Sequence, residues 1–217
     1  MSYTIPYKQS ITDFFYAQKT FSGEGANSVG TTAIGGAYLG RVLSNRKGFR
    51  TAVPLKCADN LKSIPIVISD AQLNFSGRSK LNGDPTIKAY LYGKTTKSTA
   101  LWDINVSNLK YLGSFKPKET STLNLNNEEL ANYLTTNTDY SIILTGSEST
   151  GSSTLGALYS SANMTFNWDY GASEGTIENS TDSNRNNKIQ LGDTIKVSIN
   201  SLSSSFTHKI SWYIGDD

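Results

Sequence analysis

The feature that most constrains this chain is apolar residues that alternate with polar ones in many short stretches separated by turn residues. "TIKAYLYGK" sets Ile87, Ala89 and Leu91 against Lys88, Tyr90 and Tyr92, and "NGD" at 82–84 is a turn signal just before it. "FRTAVPLK" alternates at Phe49, Thr51, Val53 and Leu55, after "AYLGRVL" and the turn "SNRKG". Pro54 has no N–H, so it belongs at an edge or a bulge. In "IPIVISDAQLNFSG", Ile66 and Ile68 share one face and Ala71, Leu73 and Phe75 another, with a break at Ser69-Asp70. "ANMTFNWDY" aligns Met164, Phe166 and Trp168, and "SFTHKISWYIG" aligns Phe206, His208, Ile210, Trp212 and Ile214. A period of two repeated this often specifies an all-β protein. The one convincing helix is "NLNNEELANYLTTNTD". Asn126 or Asn127 can cap it, Glu128 and Glu129 occupy its first turn, and Leu130, Tyr133 and Leu134 share a face. "YSIILTG" reads as a buried strand. Residues 1–36 read as irregular, apart from a candidate strand in "FFYAQKTF".

Composition removes several classes of function. Charged residues make up only 18% of the 217, and the net charge is +2, so the basic footprint demanded by duplex nucleic acid is missing. Arg41, Arg46, Lys47 and Arg50 flank a turn and read as a solvated hairpin end. The Gly-rich "SGEGANSVGTTAIGG" lacks the Gly-Lys-Ser/Thr ending and the strand-to-helix frame of a phosphate loop. Cys57 is the single cysteine, which suits folding in the cytosol. No run is long enough to insert in a membrane, and "MSYTIPYKQSITDFF" has no leader pattern. Synthesis in the cytosol without a signal peptide is therefore expected.

The order of the strands has a parallel. "FRTAVPLK", "ISDAQLNFSG", "TIKAYLYG", "STLNLNNEELANYL", "DYSIILTG" and "LGALYSSANMTFNWDY" together resemble the carbohydrate-binding-like jelly rolls called DNRLRE-like domains, over residues 37–170. The family's literal signature and its Pro-rich stretch before the last strand are absent. "KIQLGDTIKVSINSLSSSFTHKISWYIGDD", residues 188–217, resembles the opening strands of Ig-like domains in minor structural proteins of tailed bacteriophages. These resemblances imply a jelly-roll β-sandwich over 1–170, a polar linker over 171–190, and the first hairpin of an Ig-like domain over 191–217. A lone hairpin is marginal in water. Trp212 therefore needs a second sheet, supplied by residues beyond a truncated end, by the first domain, or by another subunit.

Chemistry is sparse. His208, the only histidine, alternates with Phe206 and Ile210 and reads as a structural strand residue. Asp103, Glu128, Asp139 and Asp169 form no pattern that singles out a hydrolytic pair, and no enzyme is expected. Counting from Asp182, oxygen-bearing side chains fall at positions 1, 3, 5 and 12: Asp182, Asn184, Asn186 and Asp193. That spacing is similar to a calcium loop. The stretch is read as a plain polar linker, with a weak calcium site as the alternative and no other cofactor. For glycan, an exposed aromatic beside polar groups is the usual platform; Trp102 with Asp103, and Tyr111 nearby, are the candidates. The plainer reading of Trp102 is that it plugs the sandwich core or caps one end.

The expected function is that of a bacteriophage tail or tail-tip structural protein, located in the virion. It would adhere to host cell-surface glycan by non-covalent contacts, beside other tail subunits and as a homo-oligomer. The alternative is a carbohydrate-binding module of a cell-surface protein or of a polysaccharide-degrading enzyme.

Overall fold

The computed structural model describes residues 5–21, 29–56, 66–93, 97–134, 139–148, 153–170, 175–181 and 194–199. The protein is all-β, and its helix α1 (Asn127–Leu134) is the one α-helix among the described residues. The chain divides into two compact units, one of Met1–Lys62 with Ile66–Asp169 and the other of Ser63–Pro65 with Tyr170–Asp217.

The first unit contains β1 (Ile5–Ile11), β2 (Phe14–Thr20), β3 (Val29–Gly35), β4 (Ala37–Ser44), β5 (Lys47–Lys56), β6 (Ile66–Asn82), β7 (Ile87–Tyr92), β8 (Lys110–Phe115), β9 (Thr122–Asn124), β10 (Asp139–Thr145) and β11 (Leu155–Tyr170). The main path of the sheet runs β8-β7-β10-β5-β4-β11-β6-β9, with β1 added on β11 and the β2–β3 pair added on β5. Its ends, β8 and β9, come together. Asn126 N–H donates to the Leu112 carbonyl at 2.7 Å. A Cβ on Gly113 would stand 2.3 Å from the Asn124 carbonyl oxygen. The sheet is thus nearly closed into a barrel-like sandwich, which leaves few open edges.

Strand β5 acts as a corner. Thr51 and Ala52 pair with both β2 and β10, and Phe49 pairs with both β2 and β4. A residue has only two edges, so β4 and β10 occupy successive halves of one edge while β2 takes the other. The β2 ladder stops at Ala52, two residues before Pro54. Inside, Phe75 stacks on Phe115 at 5.2 Å and on Tyr159 at 5.1 Å, and Phe49, Val53, Met164 and Trp168 are buried with them.

The break expected at Ser69-Asp70 is a switch of face. Ile66 and Ile68 are buried before it and Ala71, Leu73 and Phe75 after it, and Asp70 itself takes φ 55°. Helix α1 is capped by Asn126, whose Oδ1 accepts from Glu129 N–H at 3.2 Å. Asn127 instead accepts from Ala71 N–H at 3.0 Å, tying the helix to β6.

Three readings need correction. Residues 1–36 carry three strands: the candidate in "FFYAQKTF" is β2, while β1 and β3 stand where irregular chain is expected. β1 is polar enough to escape notice, but it needs only one half-buried face along β11, where Tyr7 stacks on Phe166 at 4.4 Å. Arg41 and Arg50 are buried, whereas Arg46 and Lys47 are exposed, so this group is not simply a solvated hairpin end. Within the 171–190 linker, β12 (Gly175–Thr181) is a strand that pairs antiparallel with β13 (Thr194–Ile199). Ile177 stands opposite Val197 and Asn179 opposite Ile195, so pairing rather than apolar content makes this strand.

Candidate functional site

Trp102 lies in the connection between β7 and β8, which folds back over the outer face of the sheet. Phe15, Ala52, Ile143, Tyr90 and Tyr111 stand in register across β2, β5, β10, β7 and β8 and so share that face. Leu101, Ile104, Val106 and Leu109 of the connection pack on it, and Ala17, Ala52 and Ile143 lose all exposure. Antiparallel sheets commonly leave one face to water; here part of that face becomes a second core. This explains why Ile142, Ile143 and Leu144 are all fully buried although their side chains alternate.

Arg50 holds the connection down. It pairs with Ala17 across the β2–β5 ladder, which directs it outward beneath the loop. Its Nη1 donates to the carbonyls of Leu101 (3.1 Å), Trp102 (3.3 Å) and Ile104 (2.6 Å). Nε and Nη2 grip Glu148 at 2.8 and 2.9 Å. The guanidinium also lies 4.8 Å from the centre of the Trp102 ring. The planar five-donor fork of arginine suits this task in a way that lysine does not.

Trp102 is therefore built into the sandwich. Its Nε1 donates to the Ala17 carbonyl at 3.1 Å, and Phe21 meets the ring edge-on at 5.7 Å. Asp103 is exposed at the end of the 3-10 turn, its N–H donating to the Ala100 carbonyl. Tyr111 is 49% exposed on β8 and packs edge-to-face with Tyr90 at 5.7 Å. The calcium candidates Asp182, Asn184, Asn186 and Asp193 lie outside the described residues, as do Cys57, His208 and Trp212. Among the described residues, no three His, Cys, Asp or Glu side chains gather where a metal could be held.

A cleft of about 520 Å³ opens elsewhere, between β6 and the β8–β9 loop. Its size is that of small-ligand sites. Arg78 and Lys118 contribute cations, Glu119 a carboxylate, and Thr120 and Ser121 hydroxyls, beside the nearly buried rings of Phe75 and Tyr159. The loop is an ordered turn. Glu119 and Thr120 N–H both donate to the Lys116 carbonyl, at 2.9 and 3.1 Å. Lys116 Nζ reaches Glu119 at 3.3 Å and Asp84 at 3.4 Å, and these contacts, Glu119 first, raise its pKa. Arg78 Nη1 donates to the Pro117 carbonyl at 2.7 Å and joins strand to loop. Gly77, at φ 63°, allows the chain to pass Ser160, whose Oγ would stand 1.9 Å from an added Cβ.

Two features of the cleft are unbalanced. Tyr159 is 1% exposed, and its hydroxyl proton finds no acceptor, the Arg78 guanidinium beside it being a donor only. Such a buried orphan costs about 1–3 kcal/mol. Burial raises its pKa, and the neighbouring Arg78 guanidinium offsets part of that rise. In addition, Arg78 and Lys118 have no acidic partner among the described residues, because Glu119 is engaged by Lys116. The sequence signals were slight: "FSGRSK", a strand losing its apolar pattern at a glycine, and "FKPKETS", a charged turn.

Comparison with protein-family models, with curated proteins and with solved structures finds no match to this chain.

Proposed function

We propose that this chain is a structural protein of a bacteriophage tail, whose sandwich attaches to host-surface glycan by non-covalent contacts. One observation carries the reading above the rest. A nearly closed sandwich is followed, after Asp169, by a separate unit that includes the "SSSFTHKISWYIGD" stretch resembling phage Ig-like domains. Self-contained β modules in series suit an extended appendage. The cleft beside Tyr159 supports the binding half of the reading, since it combines hydroxyls and charge. Weak single sites would act together if several copies are displayed on one virion.

The same cleft also fits a carbohydrate-binding module of a cell-surface protein or of a polysaccharide-degrading enzyme. Neighbouring genes for tail and lysis proteins would favour the virion; an attached catalytic domain would favour the module. The direct test is mass spectrometry of purified tails together with binding of the labelled chain to intact host cells. Presence in tails and saturable binding are expected. Tails that lack the chain and cells that do not bind it would refute the proposal.

A further inference from the structure

We propose that the cleft between β6 and the β8–β9 loop seats an acidic saccharide unit, with its carboxylate against Arg78 and Lys118 and within reach of the Tyr159 hydroxyl. The inference rests on the glycan-binding reading above and adds to it a ligand class and a location.

The electrostatics of the cleft set the sign of the ligand. Glu119 also lines the cleft, but Lys116, Arg78 and Lys118 outnumber Glu119 and Asp84 by one charge, and neither Arg78 nor Lys118 forms an ion pair among the described residues. An anionic group is attracted there, and a guanidinium offers a carboxylate two parallel donors. Tyr159 adds a donor with no acceptor of its own. A ligand oxygen seated beside Arg78 accepts from both.

The walls point to a sugar. Thr120 and Ser121 line the loop side, suited to ring hydroxyls. The site is also built to hold its shape. The Pro117 carbonyl anchors Arg78 at 2.7 Å, and the Phe75 N–H anchors the loop at the Ser121 carbonyl at 2.9 Å. A site held in place before the ligand arrives loses less on binding.

Isothermal titration of the whole chain tests this. Trigalacturonate and sialyllactose supply the two carboxylate sources, uronate and nonulosonate; maltotriose and lactose are the neutral counterparts. At least one acidic ligand is expected to bind about tenfold tighter than its neutral counterpart at low salt, with the gap closing as salt rises. Arg78→Gln should reduce acidic binding about tenfold, and Lys118→Gln a few-fold. Tyr159→Phe should weaken binding while leaving the melting temperature unchanged or higher, which a purely structural hydroxyl would not do.

Equal binding of acidic and neutral sugars overturns the proposal. So does binding that survives Arg78→Gln, or absence of binding to every sugar tried. Arg78 is exposed, so its variant is expected to fold, and Lys118→Gln gives a second reading of the same site. The two proposals fail separately. Host-cell binding that persists in Arg78→Gln leaves the tail reading standing and removes the seat. Acidic-sugar binding by a chain missing from tails does the reverse.

Discussion

Arg50 does more for this fold than any other charged side chain described. Replacing it with alanine frees three carbonyls and strands Glu148, so Arg50→Ala should cost about 3–5 kcal/mol, a drop in melting temperature of roughly 10 °C. Glu148→Gln keeps the three carbonyl bonds and should cost about 1–2 kcal/mol. Thermal melts followed by circular dichroism separate the two. Trp102→Ala should lose about 3 kcal/mol, near the low end for truncating an aromatic, because its ring is only partly buried. Tyrosine governs the alkaline limit. Burial raises the pKa values of Tyr159, Tyr16 and Tyr133 above 10.0. Below about pH 10 these phenols are neutral in both states and stability is flat. Above it the unfolded chain ionises while the folded chain retains its protons, so stability falls as pH rises. Melts between about pH 8 and 11 should show this bend, and Tyr159→Phe should soften it.

Strands were legible where alternation alone specifies them. β6 and β7 alternate in sequence as they do in burial, β5 alternates in sequence but is buried on both faces, and the Ser69-Asp70 break marks a real change of face. The helix was legible through its cap. β1 and β12 were not, because polar strands form by pairing with a neighbour that the sequence does not identify. The β7–β8 connection was hidden for another reason. Leu101, Ile104, Val106 and Leu109 show neither period, yet they cover an outer sheet face that only the register of five strands brings together. Trp102 could be read as platform or plug, and only the position of Arg50 shows how it is held. The cleft depends on Gly77 and on a loop 40 residues away, so no local pattern announces it. Where β8 meets β9, Gly113 at φ 152° leaves no room for a side chain against Asn124. Gly113→Ala should therefore destabilise the sandwich by about 1–3 kcal/mol, as read from urea unfolding.

At the scale of the whole molecule, the central claim is that the sandwich through Asp169 is a complete module that carries its cleft with it. Its sheet comes nearly full circle, its outer face has its own cover, and the chain divides just after the buried Trp168 of β11. A tail protein assembled from successive β modules requires that independence, as does the use of the cleft as a binding site. Scanning calorimetry of residues 1–169 beside the full chain tests the claim most directly. The account predicts one cooperative transition for the fragment, at the temperature of the sandwich transition in the full chain. A fragment that is unfolded, or that melts far below that temperature, would contradict it.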